Sequence, residues 1–111
     1  MPDMSDDLDP RLHPLRDDLA GAELEGRVSR PRFAQGRPAR VTRGTLDLRR
    51  APARDAPLDT QLIFGDEVRI YETAAGWAWL QNAADGYVGY ADAAGLSEMQ
   101  YGASSSWGAR A

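Results

Sequence analysis

The segment from Gly76 to Ala91 constrains this chain more than any other. Trp77-Ala78-Trp79-Leu80-Gln81 alternates large with small or aliphatic side chains, Asp85-Gly86 is a residue pair favoured in tight turns, and Tyr87-Val88-Gly89-Tyr90-Ala91 follows as a partner strand. A period of two puts Trp77 and Trp79 on one face and Ala78 and Leu80 on the other. Small Ala78 and aliphatic Leu80 suit the tight interior of a small barrel. The tryptophans then stand on the opposite face near Tyr87 or Tyr90. There they either form an open binding surface or pack beneath whatever precedes the barrel.

The same period runs upstream. Val41, Leu46 and Leu48 sit among Arg40, Thr42, Asp47 and Arg49, which reads as half-buried strands beginning near Pro38. Residues 50–57 are too rich in Pro and Ala for a strand and read as a long excursion. A Gly65-Asp66 turn precedes a strand around Val68 and Ile70, Ala75-Gly76 makes the next turn, and residues 93–96 make a closing one. Short strands, one long early loop and tight later hairpins predict a mainly β fold, a small SH3-like barrel over residues 36–97. An extended, flexible acidic leader is expected at residues 1–14, where Asp and Pro abound. A short α-helix is expected at residues 15–26, because Leu15, Leu19 and Ala22 share one helical face, Asp17 and Asp18 suit its start, and Gly26 suits its end. Residues 98–111 lack periodicity and read as a flexible tail.

The 111 residues allow one domain. Cysteine is absent, which excludes disulfides, thiolate nucleophiles and thiolate metal sites. His13, the single histidine, lies between Leu12 and Pro14 without an evident partner or pocket. Ser104, Ser105 and Ser106 fall in the tail, far from any nucleophile-elbow pattern. Asp3, Asp6, Asp7 and Asp9 lack the glycine turn and terminal Glu of a calcium loop. No catalytic residue, metal or cofactor is therefore expected of the chain itself. The start of the sequence has neither a basic segment nor an apolar run, and no stretch approaches a membrane span, so a cytoplasmic protein without a membrane partner is expected. The net charge of −4 is unevenly placed, with carboxylates dominating residues 3–25 and arginines residues 27–54. Such a basic stretch can track phosphates. These arginines are spread among turns and strands, and the acidic leader can fold back on them, so they read as a solvated face and no nucleic-acid partner is expected.

Leu46-Asp47-Leu48-Arg49-Arg50-Ala51-Pro52, the run from Ala56 through Gly65-Asp66-Glu67-Val68, Gly76-Trp77-Ala78-Trp79-Leu80 and Asp85-Gly86-Tyr87-Val88-Gly89-Tyr90 together resemble a bacterial SH3 domain. More narrowly, Asp9-Pro10-Arg11-Leu12 and Thr60-Gln61-Leu62-Ile63-Phe64-Gly65 resemble the N-terminal domain of NlpC-family γ-D-glutamyl-L-diamino-acid endopeptidases. That resemblance implies a non-catalytic barrel that walls one side of a peptidase cleft. Its ligand would be a murein peptide with a free N-terminal L-Ala, recovered during cell-wall recycling. The family's catalytic Cys and His have no counterpart in these residues, which leaves a Cys/His peptidase domain to be supplied in cis or in trans. The resemblance maps the family's acidic turn position onto Asp66, one methylene shorter than the usual Glu, and its hairpin tyrosine onto Tyr87. A carboxylate and a phenol suit an ammonium group, although Asp66 can equally serve its own turn and Tyr87 can pack in the barrel. The expected ligand-binding residues are Asp66, Trp77, Trp79, Tyr87 and Tyr90. The alternative function is a free-standing interaction barrel that docks a partner through its aromatic face.

Overall fold

In the computed structural model, residues 8–99 are described. Among the described residues nine strands form: β1 (Leu19–Gly21), β2 (Arg32–Ala34), β3 (Arg37–Val41), β4 (Thr45–Arg49), β5 (Leu58–Ile63), β6 (Glu67–Ala74), β7 (Trp77–Asn82), β8 (Val88–Asp92) and β9 (Leu96–Glu98). Seven of them make one antiparallel sheet in the order β5-β4-β8-β7-β6-β3-β9. The inward residues Ala39, Val41, Leu46, Leu48, Leu62, Val68, Ile70, Ala78, Leu80 and Ala91 form a single core. Leu48, Leu62 and Leu80 are fully buried, each contributing roughly 1.5–3 kcal/mol of apolar burial. The curled sheet is tied across its seam where the β5–β6 turn meets the end of β3. Gly65 N–H donates to the Val41 carbonyl (3.0 Å), and Val41 N–H donates to the Asp66 carbonyl (2.9 Å). The result is the mainly β, SH3-like barrel that the alternation predicts.

Two backbone positions shape the barrel around the aromatic strands. A Cβ on Gly89 would lie 2.8 Å from the Arg49 carbonyl oxygen and 2.9 Å from Leu48 Cγ. Only glycine therefore lets β8 approach β4 this closely. At the β6–β7 hairpin, Ala75 and Gly76 both have positive φ (52° and 84°), as a type I′ turn requires. Ala75 occupies the left-handed region at a steric cost of about 1–2 kcal/mol.

The expected α-helix at residues 15–26 does not form. Leu15 bridges Ala20, β1 pairs with β2 in parallel, and only Ala22–Leu24 takes a 3-10 turn. The reason is that the apolar residues serve two separate clusters. Leu19 packs on Tyr71, Trp79 and Val88 of the barrel, whereas Leu15, Ala20 and Leu24 pack with Leu8, Val28 and Phe33. Extended backbone sends Leu19 and Ala20 to opposite sides, while a helix would align Leu15 with Leu19. Gly21 stays extended (φ −64°, ψ 144°) with Pro14 and Glu23 against it.

The leader is also more ordered than expected from Leu8 onward. Leu8 is buried, Leu12 N–H donates to the Asp9 carbonyl, and Val88 N–H donates to the Arg11 carbonyl at 2.7 Å. Residues 1–7 of the expected leader lie outside the described residues. At the other end, Glu98 belongs to β9 and Met99 N–H donates to the Pro38 carbonyl, so these two are part of the fold. Residues 100–111 of the expected tail lie outside the described residues. Among the described residues no helix is long and apolar enough to cross a membrane.

Because Asn tolerates the left-handed region while losing less entropy than Gly, Ala75→Asn should stabilise the chain by about 0.5–1 kcal/mol. Chemical denaturation of the two proteins measures this. A lower midpoint for the variant would show that the turn carries no strain.

Candidate functional site

The outer face of β6, β7 and β8 is aromatic, and the path by which it becomes so starts in β6. Simple alternation would send Glu72 inward with Ile70. A bulge between Ile70 and Glu72 shifts the register, so that Ile70 pairs with Leu80 while Glu72 pairs with Trp79. Glu72 thereby stands on the outer face beside an indole. Tyr71 occupies the same face, its ring centroid 5.8 Å from that of Trp79 at a tilt of 58°.

Leu19 covers Trp79, which is only 3% exposed, and Arg16 completes the cover. The Arg16 guanidinium carbon lies 4.7 Å from the Trp79 ring centroid, a cation–π contact. The same guanidinium makes a bidentate pair with Asp18 (2.7 and 2.9 Å) and donates to Glu72 Oε1 (2.7 Å). Arg32 reaches both carboxylates at 3.4 Å, and Tyr90 Oη accepts from Arg16 at 3.4 Å. Arg30 Nε holds the Arg16 backbone by donating to its carbonyl at 2.7 Å. On the other flank the Tyr71 hydroxyl donates to Glu23. Burial first, and the Glu23 carboxylate second, push the Tyr71 phenol well above its ordinary range. The bond to Asp18 raises Arg16 further, and Arg16 in return pulls the Asp18 carboxyl from 3.8 down to about 2.

Beside this cover lies a groove of about 540 Å³. Trp77, Trp79 and Tyr90 supply its aromatic wall, Pro52, Ala74 and Ala75 its short apolar rim, and Arg16, Asp18 and Glu72 its charges. The strained Ala75 turn therefore forms part of the rim. Three of the expected residues, Trp77, Trp79 and Tyr90, are brought together here. Trp77 and Tyr90 are half-buried and offer surface, whereas Trp79 is buried under the leader and contributes only a margin. The open aromatic face is thus narrower than the alternation allows.

The other two expected residues stand apart. Tyr87 lines a separate groove of about 330 Å³ with Leu12, Leu58, Asp9, Arg11, Arg50 and Asp59. The Asp66 carboxylate accepts the Ile63 N–H at 3.0 Å and so serves its own turn, lining neither groove. Sequence reasoning missed Arg16, Asp18 and Glu72. The Arg16-Asp17-Asp18 run carried a charge signal, but nothing local tied it to Trp79. Glu72 reaches the groove only through the bulge.

The arginines of residues 27–54 are largely engaged in ion pairs, most of them between neighbouring strands and one within β4. Arg37 pairs with Glu98, Arg40 with Glu67, Arg49 with Asp47 and Arg50 with Asp59. Among the described residues no three His, Cys, Asp or Glu side chains gather as metal ligands. An aromatic wall with charges of both signs at its rim can hold a short zwitterionic chain by stacking and charge-assisted hydrogen bonds.

Asp18 also gives the leader a pH dependence. Its depressed value means that the Arg16–Asp18 contribution is fully present above 3.8 and is lost as pH falls through about 2. Acidification across that window should loosen the hold of the leader on Trp79, seen as a partial loss of near-UV ellipticity and a small red shift of tryptophan emission. Asp18→Asn should show part of that loosening at neutral pH and a flatter acid response. An unchanged acid transition in the variant would remove Asp18 from the account.

Residues 48–96 match the family model described as the bacterial dipeptidyl-peptidase SH3 domain, a span that runs from the end of β4 to the start of β9. No curated protein and no solved structure gives a significant match to the chain.

Proposed function

We propose, from the match of residues 48–96 to the bacterial dipeptidyl-peptidase SH3 domain, that this chain is a non-catalytic binding module that shapes or targets the substrate site of an NlpC-type murein-peptide hydrolase. The Cys/His catalytic domain is supplied by a partner in cis or in trans. The ligand is a short murein peptide with a free N-terminal L-Ala.

The observation that carries this reading is the groove at Trp77 and Tyr90 with Arg16, Asp18 and Glu72 at its rim. A murein tripeptide such as L-Ala-γ-D-Glu-diaminopimelate is small, extended and zwitterionic, with an N-terminal ammonium, a second ammonium on the diaminopimelate side chain, and several carboxylates. Tyr90 and Trp77 provide flat apolar area for its backbone and alanyl methyl. The Glu72 carboxylate, 27% exposed and already paired with Arg16 and Arg32, offers its remaining lone pairs to the N-terminal ammonium at the rim. This gives Glu72 the part that the family resemblance assigned to Asp66. Tyr87, 38% exposed in its own groove, is left as a flanking contact for the partner domain. Interactions at such half-open sites are screened by salt and individually modest, so affinity for the peptide alone is weak and rises when the peptidase domain closes the other side.

Titration with L-Ala-γ-D-Glu-diaminopimelate, followed by NMR, should move the indole signal of Trp77 and the ring signals of Tyr90. The peptide acetylated at its L-Ala nitrogen should bind at least about fivefold more weakly, since it lacks the N-terminal ammonium and keeps only that of diaminopimelate. Equal response to both peptides would sink amine recognition. No response at Trp77 or Tyr90 to either peptide would sink the groove as the ligand site.

A further inference from the structure

Trp77 has a second side. Across the β7–β8 pair it stands directly opposite Asp92, and the two share a smaller pocket of about 200 Å³ with Arg43, Arg49, Arg54, Asp47 and Thr45. Trp77 therefore forms the wall between this pocket and the larger groove that holds Tyr90.

The charges in the pocket are unequally engaged. Arg49 and Asp47 make a close pair at 2.8 Å, and Arg49 also donates to the Ala56 carbonyl, so its guanidinium is committed. Arg43 and Arg54 share one oxygen, Asp92 Oδ2, at the longer distances of 3.5 and 3.9 Å. The second oxygen, Asp92 Oδ1, caps the final 3-10 turn by accepting the Ala94 N–H at 2.9 Å. That backbone bond, with Arg43 and Arg54 adding to it, holds the Asp92 carboxyl below its ordinary value, so it is charged at neutral pH and does not relieve the imbalance by protonation. Two guanidinium groups converge on a single carboxylate, leaving one positive charge and several N–H donors unspent in a pocket that Trp77 also lines. Arg54, with 87% of its side chain exposed, is free to turn toward an incoming oxygen.

We propose that the Arg43–Arg54 pocket is a carboxylate subsite, and that an acidic peptide lying in the main groove crosses the edge of Trp77 to place its C-terminal carboxyl group between the two arginines. The peptide part rests on the function proposed above. It sets the direction of the chain, with the ammonium end at Glu72 and the acid end beyond Trp77. The guanidinium fork favours a planar carboxylate, because two parallel N–H donors match its two oxygens.

The test uses the full chain, with two probes and one double variant, Arg43→Gln/Arg54→Gln, and reads side-chain and indole NMR shifts. Glutarate, which has no ammonium, should shift Arg43 Nε–H, Arg54 Nε–H and the Trp77 indole in the wild type, and should leave the Trp77 indole of the variant unmoved. L-Ala-γ-D-Glu-diaminopimelate should bind the variant about tenfold more weakly, and its C-terminal amide should bind the wild type more weakly by a similar factor. Peptide binding that survives the double substitution and the amide unchanged would overturn the subsite while leaving the proposed function standing. Glutarate shifts at the two arginines without any peptide binding would support the subsite and overturn the proposed function. No shift at either arginine with either probe would overturn the subsite.

Discussion

The contact between Arg16 and the Trp79 ring joins the two halves of this structure. On the barrel side, Trp79 is the outward residue of the central strand β7, tilted against Tyr71 and packed with Val88. On the leader side, Arg16 stacks over the indole while its donors hold Asp18 and Glu72, and Leu19 closes the remaining surface. An indole of this size left open would cost apolar burial that a small barrel can hardly replace. Covering it with a guanidinium buries the ring and keeps the charge at the edge, where carboxylates and solvent complete its hydrogen bonds. The leader's own small cluster, from Leu8 to Phe33, then has a fixed platform against which to assemble.

The groove follows from the same contact. Because Arg16 and Leu19 occupy Trp79, the open part of the aromatic face moves to Trp77 and Tyr90, and the carboxylates that steady Arg16 become the polar rim. The β6 bulge is what allows this, since it turns Glu72 out of the core side and sets it across from Trp79. Ala75, in the left-handed region at the rim, shows the backbone held in a costly conformation at the mouth of the groove. Packing, electrostatics and local strain thus converge on one edge of the barrel. That edge lies within the span matched by the bacterial SH3 family, apart from the leader that contributes Arg16 and Asp18.

Much of the barrel was legible in the sequence. The alternation in Trp77–Asn82 and in Thr45–Arg49 told which residues face inward, and Ala78, Leu80, Leu46 and Leu48 are all in the core. Turn chemistry at Gly65, Gly76 and Gly86 placed the hairpins, and all three glycines have positive φ. The leader was misread for a definable reason. Leu15, Leu19 and Ala22 have helical spacing, but the competition between a helix and an extended chain was decided by two separate apolar clusters, a tertiary matter. In the site, Trp77 and Tyr90 could be named because strand period fixes their face. Glu72 could not, because one extra residue in β6 reverses the face that counting assigns.

By itself, then, the sequence determined the mainly β class, the inward set of the barrel, the turns and the presence of an aromatic face, because each of these depends on residue type at short spacing. Which aromatic residues stay open, which carboxylate stands beside them and how residues 8–34 lie on the barrel were decided only by the tertiary structure. These depend on contacts between residues more than fifty positions apart, such as Arg16 with Glu72 and Trp79. No local pattern encodes such a contact, since its free energy exists only after the barrel has formed the surface that receives it.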